Sequence, residues 1–335
     1  MKQIVSVIAL VCLWAANAAA SPDFWRHEWP KTDFSKHSVP FEEILSGGPP
    51  KDGIPPIDNP AFKPAGEIEA LVATEPVIGL SINGAAKAYP LRILMRHEIV
   101  NDELGGVPIS VTFCPLCNAA VVFDRRVGGK VLDFGTTGKL RNSDLVMWDR
   151  QTESWWQQFL GEAIVGTMTG TKLKALPARL ESWENYRKRF PQGQVLAPTG
   201  TFASMDTYCC NPYGGYDSQP GPYPHFLTVN MPQGIPAMLR VISLEDKGEA
   251  WSMALLRKKK ELELPNGVIL RWTPGQNSAL DTSEIARGRD VGNVTATRQG
   301  PDGPVDVPYF VDFAFADHAF FPDRTIHVRY AGHVR

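Results

Sequence analysis

Two stretches of this 335-residue chain resemble each other, and this internal similarity constrains the fold more than any other feature. Residues 77–86 align without a gap to residues 241–250, and residues 113–120 align to residues 272–279. Self-similarity of this kind indicates that one structural unit occurs twice in a chain. We therefore predict two related halves that pack together, with chance similarity as the alternative.

Local sequence patterns predict that the halves consist mainly of β-strands. Runs of β-branched and apolar residues bounded by Gly, Asn or Pro are typical of strands. In the first half such runs lie at residues 77–82, 107–113, 121–123, 131–134, 145–148 and 163–166. Gly128-Gly129 indicates a hairpin, and Trp183, Tyr186 and Phe190 share one face of a predicted helix over residues 181–190. The expected fold class is mainly β (α+β), with two weakly similar β-rich halves packed together and a few helices.

The chain divides into five predicted segments. Residues 1–20 combine a charged start, an apolar run and a small-residue end, which is typical of a signal peptide, with a retained anchor as the alternative. Residues 21–66 are rich in Pro, which disfavours regular structure, and in aromatic residues, which favour an ordered strap packed on the domain. The first β-rich repeat spans 67–190, a long Pro/Gly/Tyr-rich connection spans 191–236, and the second, degenerate repeat spans 237–335.

Charge and cysteine content limit the classes of function. The 34 Lys and Arg residues nearly balance the 36 Asp and Glu residues, so no nucleic-acid surface is expected. Beyond the signal peptide no stretch is long and apolar enough to span a membrane. We expect an exported protein, periplasmic or extracellular. Its remaining cysteines, Cys114, Cys117, Cys209 and Cys210, are too few for a disulfide-built scaffold.

The motif Cys114-Pro115-Leu116-Cys117 is the strongest candidate for chemistry. The aligned stretch of the second half keeps an aromatic residue, Pro and Asn but lacks both thiols. This difference indicates that the turn belongs to the structural scaffold and that the cysteines are an addition to it. A structural disulfide would close a very short loop and stabilise little. A thiol–disulfide oxidoreductase would need the first thiol at a helix N-terminus, whereas residues 121–123 predict a strand. A structural zinc site would need a second ligand pair of short spacing, which the chain lacks.

Copper, or another soft metal, is the interpretation that we favour. Thiolates joined by imidazole and thioether suit copper because these ligands are soft. His97 lies just upstream of the motif, while Lys259 or Lys260 stands near its position in the second half. A structural role is the alternative for the histidine, and core packing is the alternative for the methionines. The predicted metal ligands are Cys114, Cys117 and His97, with Met95 and Met147 as candidate further ligands.

Two further groups of residues are candidates for binding. Trp side chains beside polar groups are typical of pockets, although a core corner with satisfied polar groups is the alternative. The predicted pocket residues are Asp149, Glu153, Trp155, Trp156, Gln157, Tyr213 and Tyr216. Cys209-Cys210 form an adjacent pair, which could join the first two cysteines or the metal, or have no shared role.

Several motifs in combination resemble an exported family of unknown function, DUF3179. The matching stretches are residues 47–56, 88–91, 97–102, 112–118, 145–150, 152–157 and 211–216, with a variant of the family's aromatic closing segment at 313–323. The resemblance implies secretion and a Cys-Pro-x-Cys centre, and it implies no established activity. Cys209-Cys210 depart from the family's pattern, which puts an essential role for these thiols in doubt.

Three functions therefore stay open at the level of sequence. The first is an exported soft-metal protein, copper favoured, that carries electrons, delivers metal or activates oxygen with a redox or metal-delivery partner. The second is a thiol oxidoreductase with Cys114 as nucleophile and Cys117 as resolving thiol. The third is a ligand-binding module in which a disulfide is a local clasp.

Overall fold

The computed structural model describes residues 22–198, 204–208, 211–227, 229–245 and 248–328. The predicted signal peptide and Cys209-Cys210 lie outside these residues. The described part of the chain contains many short strands and a few short helices, which confirms the predicted mainly β (α+β) class. None of its helices is long and apolar enough to cross a membrane.

The elements are short throughout, and each helix is at most two turns long. The helices are α1 (Pro22–Trp25), α2 (Leu91–His97), α3 (Trp183–Arg189), α4 (Met253–Lys259) and α5 (Ala314–Phe320). The strands of the first half are β1 (Leu45–Ser46), β2 (Phe62–Pro64), β3 (Pro76–Ile82), β4 (Ala85–Pro90), β5 (Ile99–Leu104), β6 (Val107–Cys114), β7 (Ala119–Asp124), β8 (Arg126–Val127), β9 (Lys130–Val131), β10 (Phe134–Arg141), β11 (Asp144–Asp149), β12 (Trp155–Gln157), β13 (Glu162–Val165), β14 (Lys174–Ala175) and β15 (Arg179–Ser182), and β16 (Gln194–Leu196) lies at the start of the long connection. The strands after it are β17 (Arg240–Leu244), β18 (Glu249–Ser252), β19 (Glu261–Glu263), β20 (Val268–Thr273), β21 (Asn293–Gly300), β22 (Gly303–Asp306), β23 (Tyr309–Phe313) and β24 (Thr325–His327).

The strands pair into several small sheets that surround a shared core. The first half holds the sheets β1-β10-β11-β12-β13, β14-β7-β6-β5 and β15-β3-β4-β16-β2, and the hairpin β8-β9. The second half holds β23-β17-β18-β24 and β19-β20-β21-β22. The largest cluster of buried apolar side chains extends through both halves, from Ile57 to Ala316. Burial of this surface therefore stabilises the two halves as one unit.

The two halves follow the same order of elements. β3-β4-α2-β5-β6-β7 in the first half corresponds to β17-β18-α4-β19-β20-β21 in the second. Both helices end at a residue with positive φ, Glu98 at 56° and Lys260 at 69°. The carbonyl groups of these residues accept equivalent hydrogen bonds, from the N–H of Phe113 at 2.8 Å and from that of Trp272 at 2.9 Å. This order supports the predicted internal repeat, which itself stays a prediction, and it aligns His97 with Lys259.

Two details of the predicted elements differ from the structure. The helix α3 begins at Trp183 rather than at residue 181, because Glu181 and Ser182 pair with β3 in the strand β15. The Ser182 side chain then accepts the N–H of Asn185 and caps the helix. The turn at Gly128-Gly129 joins β8 to β9, whereas residues 132–133 separate β9 from β10, so the single strand predicted over 131–134 is wrong.

The aromatic residues of the Pro-rich segment pack on the first half. Trp29 is fully buried, and its ring centroid lies 5.2 Å from those of Trp148 and Trp155. The Lys51 ammonium sits 4.2 Å from the Trp29 ring and 4.0 Å from the Trp148 ring. Further along, Phe62 packs edge-on against Tyr89. Ring contacts of this kind add to the burial of apolar area, so the segment is held closely along its length.

Candidate functional site

The Cys-x-x-Cys motif forms the loop of a β-hairpin. β6 ends at Cys114, which pairs with Ala119 at the start of β7, and residues 115–118 form the turn. The N–H of Asn118 donates to the Pro115 carbonyl at 3.2 Å. Asn118 has a φ of 56°, which Asn adopts more readily than most residues. The motif therefore lies on a strand–turn–strand unit and not at a helix N-terminus.

The second half of the chain holds this hairpin loop in place. The N–H of Phe313 donates to the Cys117 carbonyl at 3.0 Å, and the Asn118 amide donates to the Val311 carbonyl at 2.7 Å. Phe313 and Val311 both belong to β23. The strand β23 therefore holds the backbone of Cys117 and the side chain of Asn118 in place.

Cys114, Cys117 and Asp144 form a compact, buried group of potential metal ligands. Their sulfur and carboxylate oxygen atoms all lie within 4.8 Å of one another. Both cysteines are free thiols, exposed by 2% and 0%, and Asp144 is fully buried. Two sulfur ligands on opposite sides of one ion would be about 4.6 Å apart, given metal–sulfur bonds of about 2.3 Å. The group is therefore of the size that one metal ion requires.

Asp144 is oriented by polar groups of the neighbouring strand and loop. Its Oδ2 accepts hydrogen bonds from Gln157 Nε2 at 2.6 Å and from the Phe159 N–H at 2.9 Å. Its Oδ1 is buried and accepts no hydrogen bond from the described residues. An orphaned buried oxygen is costly unless it meets a proton or a cation. This oxygen is therefore the position where a metal bound to the thiols would satisfy the carboxylate.

Burial raises the pKa values of all three groups. Burial raises the pKa of Cys114, and it raises the pKa of Cys117 well above the usual value for a thiol. Burial also raises the pKa of Asp144 to about 7, although hydrogen bonds from Phe159, Gln157, the Cys114 thiol and Leu145 lower it. The metal-free group is thus poor at holding negative charge. A cation that displaced the thiol protons would supply the missing compensation.

A cavity of about 180 Å³ adjoins the cysteine hairpin. Its walls consist mostly of apolar and aromatic side chains. The lining residues are Gly47, Pro49, Ile54, Glu98, Cys114, Pro115, Leu116, Thr136, Gly138, Lys139, Leu140, Leu145, Tyr213, Tyr223 and Phe226. Cys114 therefore belongs both to the ligand group and to the cavity wall. A molecule in the cavity would lie directly beside the centre.

Of the other predicted ligands, His97 lies outside the group around Asp144. Its Nδ1 is 2.7 Å from the Pro55 carbonyl, and its Nε2 is 2.8 Å from the Tyr208 hydroxyl. A direct ligand role of His97 stays a prediction that this geometry does not favour. Met95 and Met147 are both buried in the main core, as core packing would require, and their role as ligands also stays a prediction.

The predicted pocket residues separate into three places. Asp149, Glu153 and Trp155 form a polar and aromatic corner: Asp149 accepts from Thr152 and Trp156, Glu153 pairs with Lys51 at 3.0 Å, and Trp155 packs on Trp29. The two carboxylates of this corner are satisfied, whereas the buried Trp155 Nε1 has no hydrogen-bond partner among the described residues. Trp156 lies in the main core instead, packed edge-on against Phe134.

The remaining predicted pocket residues lie around the cysteines. Gln157 donates a hydrogen bond to Asp144, and Tyr213 lines the cavity. Burial raises the pKa of Tyr216, and electrostatic interaction with Cys117 and Cys114 also raises it, so Tyr216 lies within electrostatic range of the thiols. Three of the seven predicted pocket residues therefore support the cysteine site rather than a separate one.

Sequence reasoning missed Asp144 as a potential ligand and Glu98 as part of the cavity wall. Asp144 follows a turn in which Asn142 and Ser143 both have positive φ, and it lies far from the motif along the chain. No spacing rule links it to the cysteines. The only signal for Glu98 is its position beside His97, at the end of an apolar run.

Comparison with known proteins identifies one family. The family model described as "Protein of unknown function (DUF3179)" matches residues 51–324 of this chain. The match covers the cysteine hairpin, the strand that carries Asp144 and the connection that carries Tyr213 and Tyr216. No curated protein and no solved structure matches the chain.

Proposed function

The chain belongs to the DUF3179 family, and we propose that it is an exported soft-metal-binding protein, with copper as the metal. Cys114 and Cys117 would hold the ion together with Asp144. The observation that carries the proposal is that these three ligand atoms lie within 4.8 Å of one another in a buried place. Export is proposed from the N-terminal sequence, since residues 1–20 have the pattern of a signal peptide.

The donor set supports a soft or borderline ion. Two thiolates favour Cu(I) or zinc over magnesium and calcium, which prefer oxygen ligands. The orphaned Oδ1 of Asp144 offers a third donor without any rearrangement of Gln157. Copper bound there would supply one-electron chemistry. The protein's part would be to exclude water through burial and to present one side of the centre, through Cys114, to the cavity.

A thiol–disulfide oxidoreductase is the second candidate, because the two thiols are adjacent and not bonded to each other. Burial argues against it. A catalytic thiol of that class needs a lowered pKa and an accessible sulfur, whereas burial raises the pKa of Cys114 and leaves that residue 2% exposed. We therefore favour metal binding, with a partner that delivers metal or exchanges electrons.

Metal content tests the proposal directly. The mature protein, purified after export and reduced, is offered copper and zinc together, and bound metal is measured by mass spectrometry. We expect about one copper per chain, lost in Cys114→Ser. Cys209→Ser/Cys210→Ser removes the other thiols of the mature chain and is expected to keep the copper. His97→Gln and Met147→Leu, compared in the same assay, report whether those residues contribute.

The possible results separate the interpretations. If the protein bound zinc in preference to copper and lost it in Cys114→Ser, the metal site would be upheld and copper as its metal would be contradicted. No metal in the unsubstituted protein would overturn the metal proposal altogether. The redox state and reduction potential of the Cys114/Cys117 pair would then be the next measurements.

A further inference from the structure

Glu98 is a buried carboxyl group that the metal proposal does not use. The residue is 6% exposed and lines the cavity beside Cys114, and its carboxyl group makes no hydrogen bond or ion pair with the described residues. The protein supplies no hydrogen-bond partner for this carboxyl group, so a molecule in the cavity is the partner that would satisfy it.

The backbone explains why Glu98 faces the cysteine hairpin. Glu98 ends α2 with a φ of 56°, and its carbonyl accepts the N–H of Phe113, the residue before Cys114. The corresponding residue of the second half, Lys260, has the same backbone contacts, but its ammonium sits 4.1 Å from the Trp272 ring. The unusual backbone therefore belongs to the scaffold. The carboxyl group at the cavity is specific to the first half.

The cavity has the size and the walls of a site for a small aromatic molecule. An apolar cavity of about 150 Å³ is large enough for benzene, and this one measures about 180 Å³. The rings of Tyr213, Tyr223 and Phe226 line one side, and Leu140 and Leu145 also line it. Lys139 contributes to the wall as well, but its ammonium is directed to Glu28 at 3.6 Å and to the rings of Trp29 and Trp155. Apolar walls thus surround a space with one unpartnered carboxyl group.

We propose that this cavity binds a small, neutral, single-ring phenol, whose ring packs between the aromatic and leucine side chains and whose hydroxyl group hydrogen-bonds to Glu98. A hydroxyl group both donates and accepts, so it satisfies Glu98 as a carboxylate and as a carboxylic acid. An ammonium group would satisfy only the carboxylate and would have to be desolvated among apolar side chains. Ring pairs with Tyr213, Tyr223 and Phe226 favour an aromatic body over an aliphatic one.

This ligand site goes beyond the proposed metal centre and does not depend on it. The ligand touches the wall formed by Cys114, so a molecule bound there lies next to the thiols. Binding is therefore measured on reduced, chelator-treated mature protein, where a failure to bind metal has no influence on the result.

Calorimetric titration of that protein with phenol, toluene and benzylamine tests the proposal. Phenol and toluene have nearly the same shape, so their difference isolates the hydroxyl group. We expect phenol to bind about tenfold more tightly than toluene, and Glu98→Leu to remove that preference. Glu103→Leu, an exposed carboxylate on β5, is the matched control and is expected to bind phenol as the unsubstituted protein does.

Phe226→Ala locates the ligand without touching a buried residue. Phe226 is half-buried at the end of a short 3-10 helix, and loss of its ring contact is expected to weaken phenol binding by about threefold to tenfold. Equal binding of phenol and toluene, tighter binding of benzylamine, or no binding of any of the three would overturn the proposal. If phenol binding were unchanged in both Glu98→Leu and Phe226→Ala, phenol would not bind in this cavity.

Discussion

At the scale of the residue, the candidate centre depends on how a few buried polar side chains are satisfied. Asp144 is fully buried, and its two carboxylate oxygens have different surroundings. Oδ2 accepts two hydrogen bonds, whereas Oδ1 accepts none from the described residues. The hydrogen-bonded oxygen fixes the orientation of the carboxylate, and the other is left for a metal or a proton. Groups that orient a ligand in this way commonly matter nearly as much as the ligand itself.

Gln157→Leu is therefore expected to weaken metal binding, although Gln157 is not a ligand. It removes the 2.6 Å hydrogen bond to Asp144 Oδ2 and leaves one donor on that oxygen. Loss of a group that orients a ligand typically costs about 10-fold to 100-fold in metal affinity. The measurement is a competition titration against a chelator of known affinity.

The chain offers a matched control for this change. Gln151 donates to Asp133 Oδ2 at 2.8 Å at an exposed position. Gln151→Leu breaks a similar Gln–Asp pair away from the cysteines and should leave metal affinity unchanged. An equal loss of affinity in both variants would contradict the role assigned to Gln157.

At the scale of the element, the hairpin of β6 and β7 depends on the backbone of Asn118. This residue combines a φ of 56° with a side-chain hydrogen bond to the Val311 carbonyl in β23. It therefore ends the cysteine turn and also joins that turn to the second half. The two effects can be separated because glycine tolerates positive φ and alanine does not.

Asn118→Gly and Asn118→Ala should differ in stability for this reason. Both variants lose the hydrogen bond to Val311, which contributes about 1 kcal/mol to the free energy of unfolding. The alanine variant also has the unfavourable backbone conformation, at a further cost of about 1 kcal/mol. Urea unfolding of the two variants measures the difference. Equal stabilities would show that the loop adopts another conformation in solution.

At the scale of the whole molecule, the long connection is tied to the second half by a buried ion cluster. Asp217 pairs with Arg240 and with Arg289, each at 2.8 Å, and accepts a hydrogen bond from Ser278 at 2.5 Å. The same connection carries Tyr213, Tyr223 and Phe226 to the cavity. Stability of this cluster therefore affects both the fold and the proposed ligand site.

Asp217→Asn is expected to destabilise the protein in a pH-dependent way. Burial alone would raise the pKa of Asp217, but Arg240, Ser278 and Arg289 lower it below the usual value of 3.8. A group whose pKa is lowered by folding contributes stability above its unfolded pKa and loses that contribution as the pH falls through the folded value. Breaking a buried ion pair costs about 3 kcal/mol at pH 7.

Urea unfolding at pH 7 and at about pH 3 checks this expectation. The difference in stability between Asp217→Asn and the unsubstituted protein should be large at pH 7 and smaller at pH 3. Asp281→Asn is a useful comparison, because Asp281 contacts Arg289 near the surface and should cost less. A difference that is the same at both pH values would show that the charge of Asp217 does not stabilise the fold.

The local parts of this protein follow from its sequence. Runs of β-branched and apolar residues bounded by Gly, Asn or Pro predicted the strands, and the fold class is confirmed. The motif at Cys114 and Cys117 was predicted to lie before a strand rather than on a helix, as it does. The membership of the chain in its family was also predicted from short motifs and is confirmed. These features depend on neighbouring residues, whose preferences can be read directly along the chain.

The composition of the centre was decided only by the tertiary structure. Asp144 begins β11, and the cysteines flank the turn after β6, which belongs to a different sheet. Asp144 lies beside the thiols because the two sheets pack together, and no spacing in the sequence predicts this contact. Glu98 reaches the cavity because a helix ends with positive φ beside the end of β6. Tyr213 lies in the part of the connection after β16, whose described residues form no strand. Contacts between residues far apart in the chain depend on how whole elements pack, so the ligands, the cavity and its unpartnered carboxyl group emerge only from the fold.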